Sequence, residues 1–142
     1  MAKPHKDYSG TPLYRKLGIK EESAVHSVAP PEGFFDLLGP LPPGATHVEE
    51  LHDPIDVALL FVTAEENLRA GFEKLSPKMS PSGGLWVAWP KKSSKIRSEL
   101  SFETVQEVGL GAGLVDNKSC AIDEDWQAMR FVYRLKDRPR AK

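Results

Sequence analysis

The sequence predicts an α/β domain in which helices cover both faces of a mostly parallel sheet and an antiparallel hairpin closes the chain. Two segments carry this prediction, because residues 55–63 and 85–89 are almost unbroken apolar runs. Such runs are typical of strands that are buried on both faces of a parallel sheet. A helical pattern follows each run, and strands that alternate with helices imply crossover connections between parallel strands.

Composition indicates an ordinary globular chain. Of its 142 residues, 40% are hydrophobic and 27% are charged. A chain of this length and composition can form one hydrophobic core. The formal net charge is -1, so no global field attracts nucleic acid or an acidic membrane. The single cysteine, Cys120, excludes an internal disulfide. The start lacks the apolar core of a signal peptide, and no stretch reaches the ~20 apolar residues of a membrane span. We therefore expect a cytoplasmic protein.

The first half of the chain predicts short elements inside a single α/β domain over residues 11–136. Residues 1–10 are expected to be a flexible N-terminus and residues 137–142 a disordered tail. Thr11 and Pro12 mark a helix start, and Gly18 marks its end. The predicted elements are a helix over 12–17, a strand over 25–29, a short helix or apolar plug over 34–38 and an edge strand over 45–51.

The second half predicts longer elements. Thr63, followed three residues later by Glu66, matches a capping box at a helix start. Ser101 marks another helix start, and the acidic segment 123–125 predicts a turn between antiparallel strands. The predicted elements are strands over 55–63, 85–89, 114–122 and 131–135, a helix over 64–76, and a helix from 102 with Phe102, Val105, Val108 and Leu110 as its apolar stripe.

This order of elements resembles the S-adenosylmethionine-dependent methyltransferase fold, a three-layer Rossmann-like sandwich, with one strand and two helices fewer in the first half. Several stretches are also similar to a bacterial family that is known as a domain of unknown function. They are Ser9–Ile19, Pro31–Pro42 and Leu85–Lys92, together with Phe61–Thr63 and Cys120–Asp123. The family resemblance implies membership but no activity, and a fold alone does not define a function.

A methyltransferase of this fold needs a glycine-rich turn after its first strand, where backbone N–H groups approach the cofactor. Here the turn is Ala29–Gly33. Its two prolines have no N–H to donate, and the Glu32 carboxylate would repel the cofactor's own carboxylate. Glu49 or Glu50 could hold ribose hydroxyls, but acids on an edge strand are more often solvated. We therefore expect no cofactor.

The strongest candidate for a binding site is the basic loop, residues 90–97. It contains four cations and two serine hydroxyls, which are groups that bind phosphate. It also follows a central strand, and open α/β sheets bind ligands at the carboxyl ends of such strands. A charge run is otherwise commonly just a solvated surface, and no P-loop pattern is present. The candidate ligand-binding residues are Glu32, Gly33, Phe34, Thr63, Trp89, Lys91, Lys92 and Lys95.

Patterns for catalysis or metal binding are absent from the sequence. The histidines 5, 26, 47 and 52 lack metal-ligand spacing; His26 and His47 lie on neighbouring predicted strands but would need further ligands. A buried, inert thiol is the default for Cys120. No Gly-x-Ser-x-Gly elbow supports a hydrolase. We therefore assign no catalytic residue and no metal ligand.

The sequence thus predicts a non-catalytic ligand-binding or regulatory module for an anionic small molecule, with neither a membrane nor nucleic acid as partner. One alternative is a small transferase that uses S-adenosylmethionine or a nucleotide. Another is a protein-interaction adaptor that contacts a partner protein through its short edge strand or through Phe34 and Phe35. A ligand site at the strand ends would favour the first two functions, and a large apolar surface patch would favour the third.

Overall fold

A computed structural model of the chain describes residues 12–51 and 53–134. The expectations of a flexible N-terminus and a disordered tail concern residues outside these ranges. In chain order the elements are α1 Leu13–Lys16, β1 Ala24–Val28, α2 Phe34–Leu38, β2 Thr46–His47, β3 Ile55–Phe61, α3 Glu65–Leu75, a 3-10 turn Ser76–Lys78, β4 Met79–Pro90, α4 Phe102–Gly111, β5 Leu114–Ala121 and β6 Trp126–Tyr133.

In the described part of the chain, six strands form one sheet in the order β2-β1-β3-β4-β6-β5. β1 pairs in parallel with both β2 and β3, and β3 pairs in parallel with β4. β6 is antiparallel to both β4 and β5. The predicted mostly parallel sheet with an antiparallel C-terminal hairpin is therefore confirmed.

Side chains of the central strands alternate between two cores, because successive residues of a strand point to opposite faces of the sheet. The first core lies under α1 and α2 and includes Leu17, Phe34, Leu38, Val57, Leu59, Phe61, Trp86 and Ala88. The second core lies under α3 and α4 and includes Ala58, Leu60, Val62, Leu68, Phe72, Leu85, Val87, Trp89, Val105 and Val108. Two cores on the two faces of one sheet give the predicted three layers.

The edge strand β2 is shorter than the predicted strand over 45–51. It covers only Thr46–His47, although the N–H of Val48 still donates to the carbonyl of Val25 at 2.8 Å. Glu49 and Glu50 follow it and are exposed, since two carboxylates have no favourable place in a paired strand. The prediction of a seven-residue strand here is therefore wrong.

The buried stripe of α4 also differs from the predicted one. Phe102 and Leu110 are 49% and 41% exposed, whereas Val105, Val108 and Gly109 are buried. Gly109 completes the stripe because it lies four residues after Val105, and position 110 is rotated well away from that face. Within residues 12–51 and 53–134, no helix has the length and apolar character needed to cross a bilayer.

Candidate functional site

The turn after β1 offers few backbone donors. Ala29 and Gly33 have φ angles of 55° and 83°, in the left-handed region that non-glycine residues such as Ala29 seldom adopt. Pro30 and Pro31 have no N–H, and the N–H of Phe34 already donates to the carbonyl of Pro31 at 3.1 Å. The turn therefore lacks the row of free amides that binds an anionic cofactor at a glycine-rich loop.

His47, on β2, is held against β1 and α2. Its Nε2 lies 2.6 Å from the Oγ of Ser27, and its ring packs edge-on against the ring of Phe35, with centroids 4.8 Å apart. His26 is the next residue to Ser27 and points to the opposite face of the sheet, where its Nδ1 lies 2.9 Å from the carbonyl oxygen of Val48. The two histidines thus have separate partners, and the described residues contain no group of three or more metal-ligating side chains.

Stability is expected to fall as the pH drops below the ordinary histidine pKa of 6.5, partly through His47. Burial and the nearby charge of His26 lower the pKa of His47, while Glu49 opposes them. A lowered pKa in the folded state means that the unfolded chain takes up the proton first, so acidification favours unfolding. Urea unfolding at pH 7.5 and 5.5 checks this, with His47→Gln as the comparison. The variant should lose less stability than the parent between the two pH values; an equal loss would exclude a contribution from His47.

The carboxyl end of β3 borders a crevice of about 600 Å³ that is open to solvent and is lined by Thr63, Ala64, Arg97, Ser98 and Glu99. The first two residues lead from β3 into α3, and the other three belong to the connection between β4 and α4. The crevice therefore lies between the start of α3 and the segment that contains the basic loop.

Hydrogen bonds anchor the basic loop at both of its ends. At its start, the N–H of Lys91 donates to the carbonyl of Asp125 at 2.8 Å, and the Oγ of Ser94 donates to the Oδ1 of Asp125 at 2.9 Å. Just beyond its end, the N–H of Glu99 donates to the carbonyl of Thr63 at 3.0 Å. The loop thus runs from the β5–β6 turn to the carboxyl end of β3, and its last residue, Arg97, lines the crevice.

The start of α3 is capped by Glu99 rather than by Thr63. The N-cap position is Ala64, which makes no side-chain cap bond, and the Oε1 of Glu99 accepts from the N–H of Glu65 at 3.1 Å. The predicted capping box of Thr63 and Glu66 is therefore wrong, because the helix begins one residue later than that box requires. A carboxylate at this position also interacts favourably with the positive end of the helix dipole.

The eight candidate residues do not gather in one place. Phe34 and Trp89 are only 2% and 3% exposed and belong to the first and second cores, so they lie on opposite faces of the sheet. Thr63 lines the crevice and Lys91 is half-buried beside Asp125. Glu32, Gly33, Lys92 and Lys95 are exposed.

The two aromatic candidates are core residues, and neither is among the residues that line the crevice. The ring of Phe34 packs against that of Phe61 at 5.0 Å, inside the first core. Sequence reasoning in turn missed Ser98 and Glu99, which have no distinctive pattern and gain their place in the crevice from contacts with Thr63 and Glu65.

Comparison of sequences places the chain near one described family. The model of a family described as "Protein of unknown function (DUF3052)" matches residues 44–135. No curated protein matches the chain.

Solved structures share the fold. A SAM-dependent methyltransferase from Aquifex aeolicus matches with a TM-score of 0.61 at 14% identity, covering 84% of this chain and 86% of that one. The pyocyanin biosynthetic protein PhzM matches with a TM-score of 0.59 at 9% identity, covering 86% of this chain and 53% of that one. Fibrillarin from Aeropyrum pernix, with natively bound S-adenosyl-L-methionine, matches with a TM-score of 0.57 at 12% identity, covering 82% and 69%. At these identities the similarity shows a Rossmann-like, methyltransferase-like fold and nothing further.

Proposed function

The chain belongs to the family described as a protein of unknown function (DUF3052), and we propose that it is a non-catalytic binding module for an anionic small molecule on a methyltransferase-like fold. The observation that carries this proposal is the crevice at the carboxyl end of β3, which Arg97 of the basic loop helps to line. Open α/β sheets bind their ligands outside the carboxyl ends of the strands.

The charges around the crevice support an anionic ligand. The basic loop contains three lysines and one arginine but no acid. Arg97 lines the crevice, and its guanidinium could pair with a phosphate or carboxylate through two oxygens. Glu99 supplies the one carboxylate in the lining and already accepts from the N–H of Glu65. Its charge therefore acts on the positive end of the α3 dipole rather than on the cations of the basic loop.

Replacing Lys91 and Lys92 together by alanine is expected to weaken ligand binding. The ligand is to be found by a thermal-shift screen with nucleotides and phosphorylated metabolites, since a ligand at a hundred times its Kd stabilises by about 2.7 kcal/mol. Each lysine acts as a point charge, so binding by the parent should also weaken as salt increases.

The matched control for this variant is Lys74→Ala with Lys78→Ala, which removes the same charge from exposed positions near the end of α3 and in the 3-10 turn that follows it. The control should bind as the parent does. If the Lys91 and Lys92 double variant binds every screened anion as tightly as the parent, the basic loop is not part of a binding site.

A transferase that uses S-adenosylmethionine is the second candidate, and the shared fold with methyltransferases favours it. The turn at Pro30 and Pro31 argues against binding of S-adenosylmethionine, because these two residues lack the backbone N–H groups that would bind the cofactor there. We expect isothermal titration calorimetry with S-adenosylmethionine to give no measurable heat of binding. A micromolar Kd would support the transferase instead.

A further inference from the structure

The helix α4 carries an exposed apolar row on its outer flank. Phe102 and Leu110 are both exposed, and with Gln106 they are spaced by four residues, so the three form one row along the helix. The Nε2 of Gln106 donates to the Oδ1 of Asp116 on β5 at 3.3 Å, whereas α3 packs over β3 and β4. The row therefore borders the outer strand of the sheet.

The strand beside this row is also open to solvent. Ser119 pairs with Met129 and Ala121 pairs with Gln127, and Met129 belongs to the second core. Because cross-strand partners share a face, Ser119 and Ala121 point to the side of the sheet on which α3 and α4 lie. Both are exposed, so the layer of helices leaves this part of β5 uncovered. We call the row on α4 and these two strand residues the α4–β5 surface.

The charges next to the apolar row are negative. Glu103 and Glu107 are exposed and spaced by four, so they form the adjacent row of α4. The sequence has no lysine or arginine between Arg97 and Lys118, and Lys118 points to the opposite face from Ser119, its neighbour on β5. The ion pair found among residues 12–51 and 53–134 lies on α3. No cation of the described chain thus pairs with these two carboxylates.

Charge distinguishes between the possible occupants of the α4–β5 surface. A second copy docked through the same surface across a two-fold axis would bring the carboxylates of both copies together, and like charges repel. An acidic membrane is repelled for the same reason. The C-terminal residues 135–142 are basic but contain one large apolar residue, Leu135, so they cannot cover both Phe102 and Leu110. The surface fits a partner that brings cations together with several apolar side chains.

We propose that the α4–β5 surface binds a basic amphipathic helix of a partner protein, which lies beside α4 over β5 and extends the layer of helices. The apolar stripe of this helix packs on Phe102 and Leu110, because ridges spaced by four on two helices interdigitate. Its lysines or arginines pair with Glu103 and Glu107. The small side chains of β5 allow it to approach the sheet closely. This surface is separate from the crevice, whose lining includes no residue of α4 or β5.

Fluorescence anisotropy with labelled model peptides tests the proposal. The probe is a peptide of leucine and lysine, about 18 residues long so that it can form a helix, with its leucines on one face. One comparison peptide has the same composition in an order without helical period, and another has glutamate in place of lysine. We expect the probe to bind in a saturable way that weakens as salt increases, and both comparison peptides to bind at least tenfold more weakly.

Two variants locate the binding. Phe102→Ala should raise the Kd of the probe about tenfold, because an aromatic anchor contributes a large share of such an interface. Glu103→Gln with Glu107→Gln should raise the Kd severalfold and reduce its dependence on salt. All three side chains are exposed, so the variants are expected to fold as the parent does.

Matched controls remove the same groups elsewhere. Leu37→Ala removes an apolar side chain of similar exposure from α2, and Glu49→Gln with Glu50→Gln removes two exposed carboxylates that follow β2. Both controls should retain the parent Kd. The proposal is overturned if the probe does not bind, if the peptide without helical period binds as tightly, or if Phe102→Ala binds the probe as the parent does. A parent that sediments as a dimer, with Phe102→Ala as a monomer, would assign the surface to a second copy instead.

Discussion

Alanine in place of Leu59 is expected to lower the free energy of unfolding by about 2–5 kcal/mol. Leu59 belongs to the first core and is 1% exposed. It lies on β3, which pairs in parallel with β1 on one side and with β4 on the other. Its register partners are Ser27 on β1 and Trp86 on β4, so hydrogen-bonded strands flank it on both sides. Those strands cannot move inward to fill the space that the lost side chain leaves, and the cavity adds its own cost.

Urea unfolding followed by circular dichroism measures the effect of Leu59→Ala. The matched control is Leu37→Ala, the same chemical change at a position that is 46% exposed on α2, which should cost much less. A Leu59 variant as stable as the parent would place β3 outside the core and contradict the sheet order.

Alanine in place of Gly109 is expected to destabilise the protein by about 1–3 kcal/mol, although alanine is the better helix former. Gly109 lies on the buried face of α4, where an added Cβ would overlap the ring of Phe131. That ring is fully buried and packs edge-on against Phe72 at 5.1 Å. Because the ring has no free space to move into, steric overlap outweighs the gain in helix propensity.

The control for this variant lies two residues further along the same helix. A Cβ added to Gly111 has no atom within 4 Å, so Gly111→Ala should stabilise the protein by up to about 1 kcal/mol. The same substitution in one helix is thus expected to have opposite signs. Thermal and urea unfolding of both variants decides the matter, and stabilisation by Gly109→Ala would show that α4 does not pack on Phe131.

The fold was largely predictable because its central strands are buried on both faces. The apolar runs of β3 and β4 tolerate few polar residues. The connection between the two strands contains α3 and is long enough for the crossover that parallel strands require. The turn at 123–125 is likewise local, since the Oδ1 of Asp123 accepts from the N–H groups of Asp125 and Trp126 at 2.8 and 2.9 Å.

The candidate site was harder to predict because its geometry depends on contacts between distant residues. The cap of α3 comes from Glu99, 34 residues after the N–H of Glu65 that it accepts from, and no local pattern reveals such a pair. The burial of Trp89, by contrast, could have been predicted from the local sequence. Trp89 lies two residues after Val87 and four after Leu85, and the strand period of two places all three side chains in the second core.

The two outer strands of the sheet bear on how the chain behaves at high concentration. β2 has only two residues, and the register shift between Asp116 and Lys118 interrupts β5 near its middle. Long, straight outer strands act as templates on which further chains add, whereas short strands, bulges and lysines discourage such growth. Both outer strands are therefore poor templates, and in the folded protein the order of the strands places the apolar strands β3 and β4 between two neighbours each, where they are not free to pair with another chain.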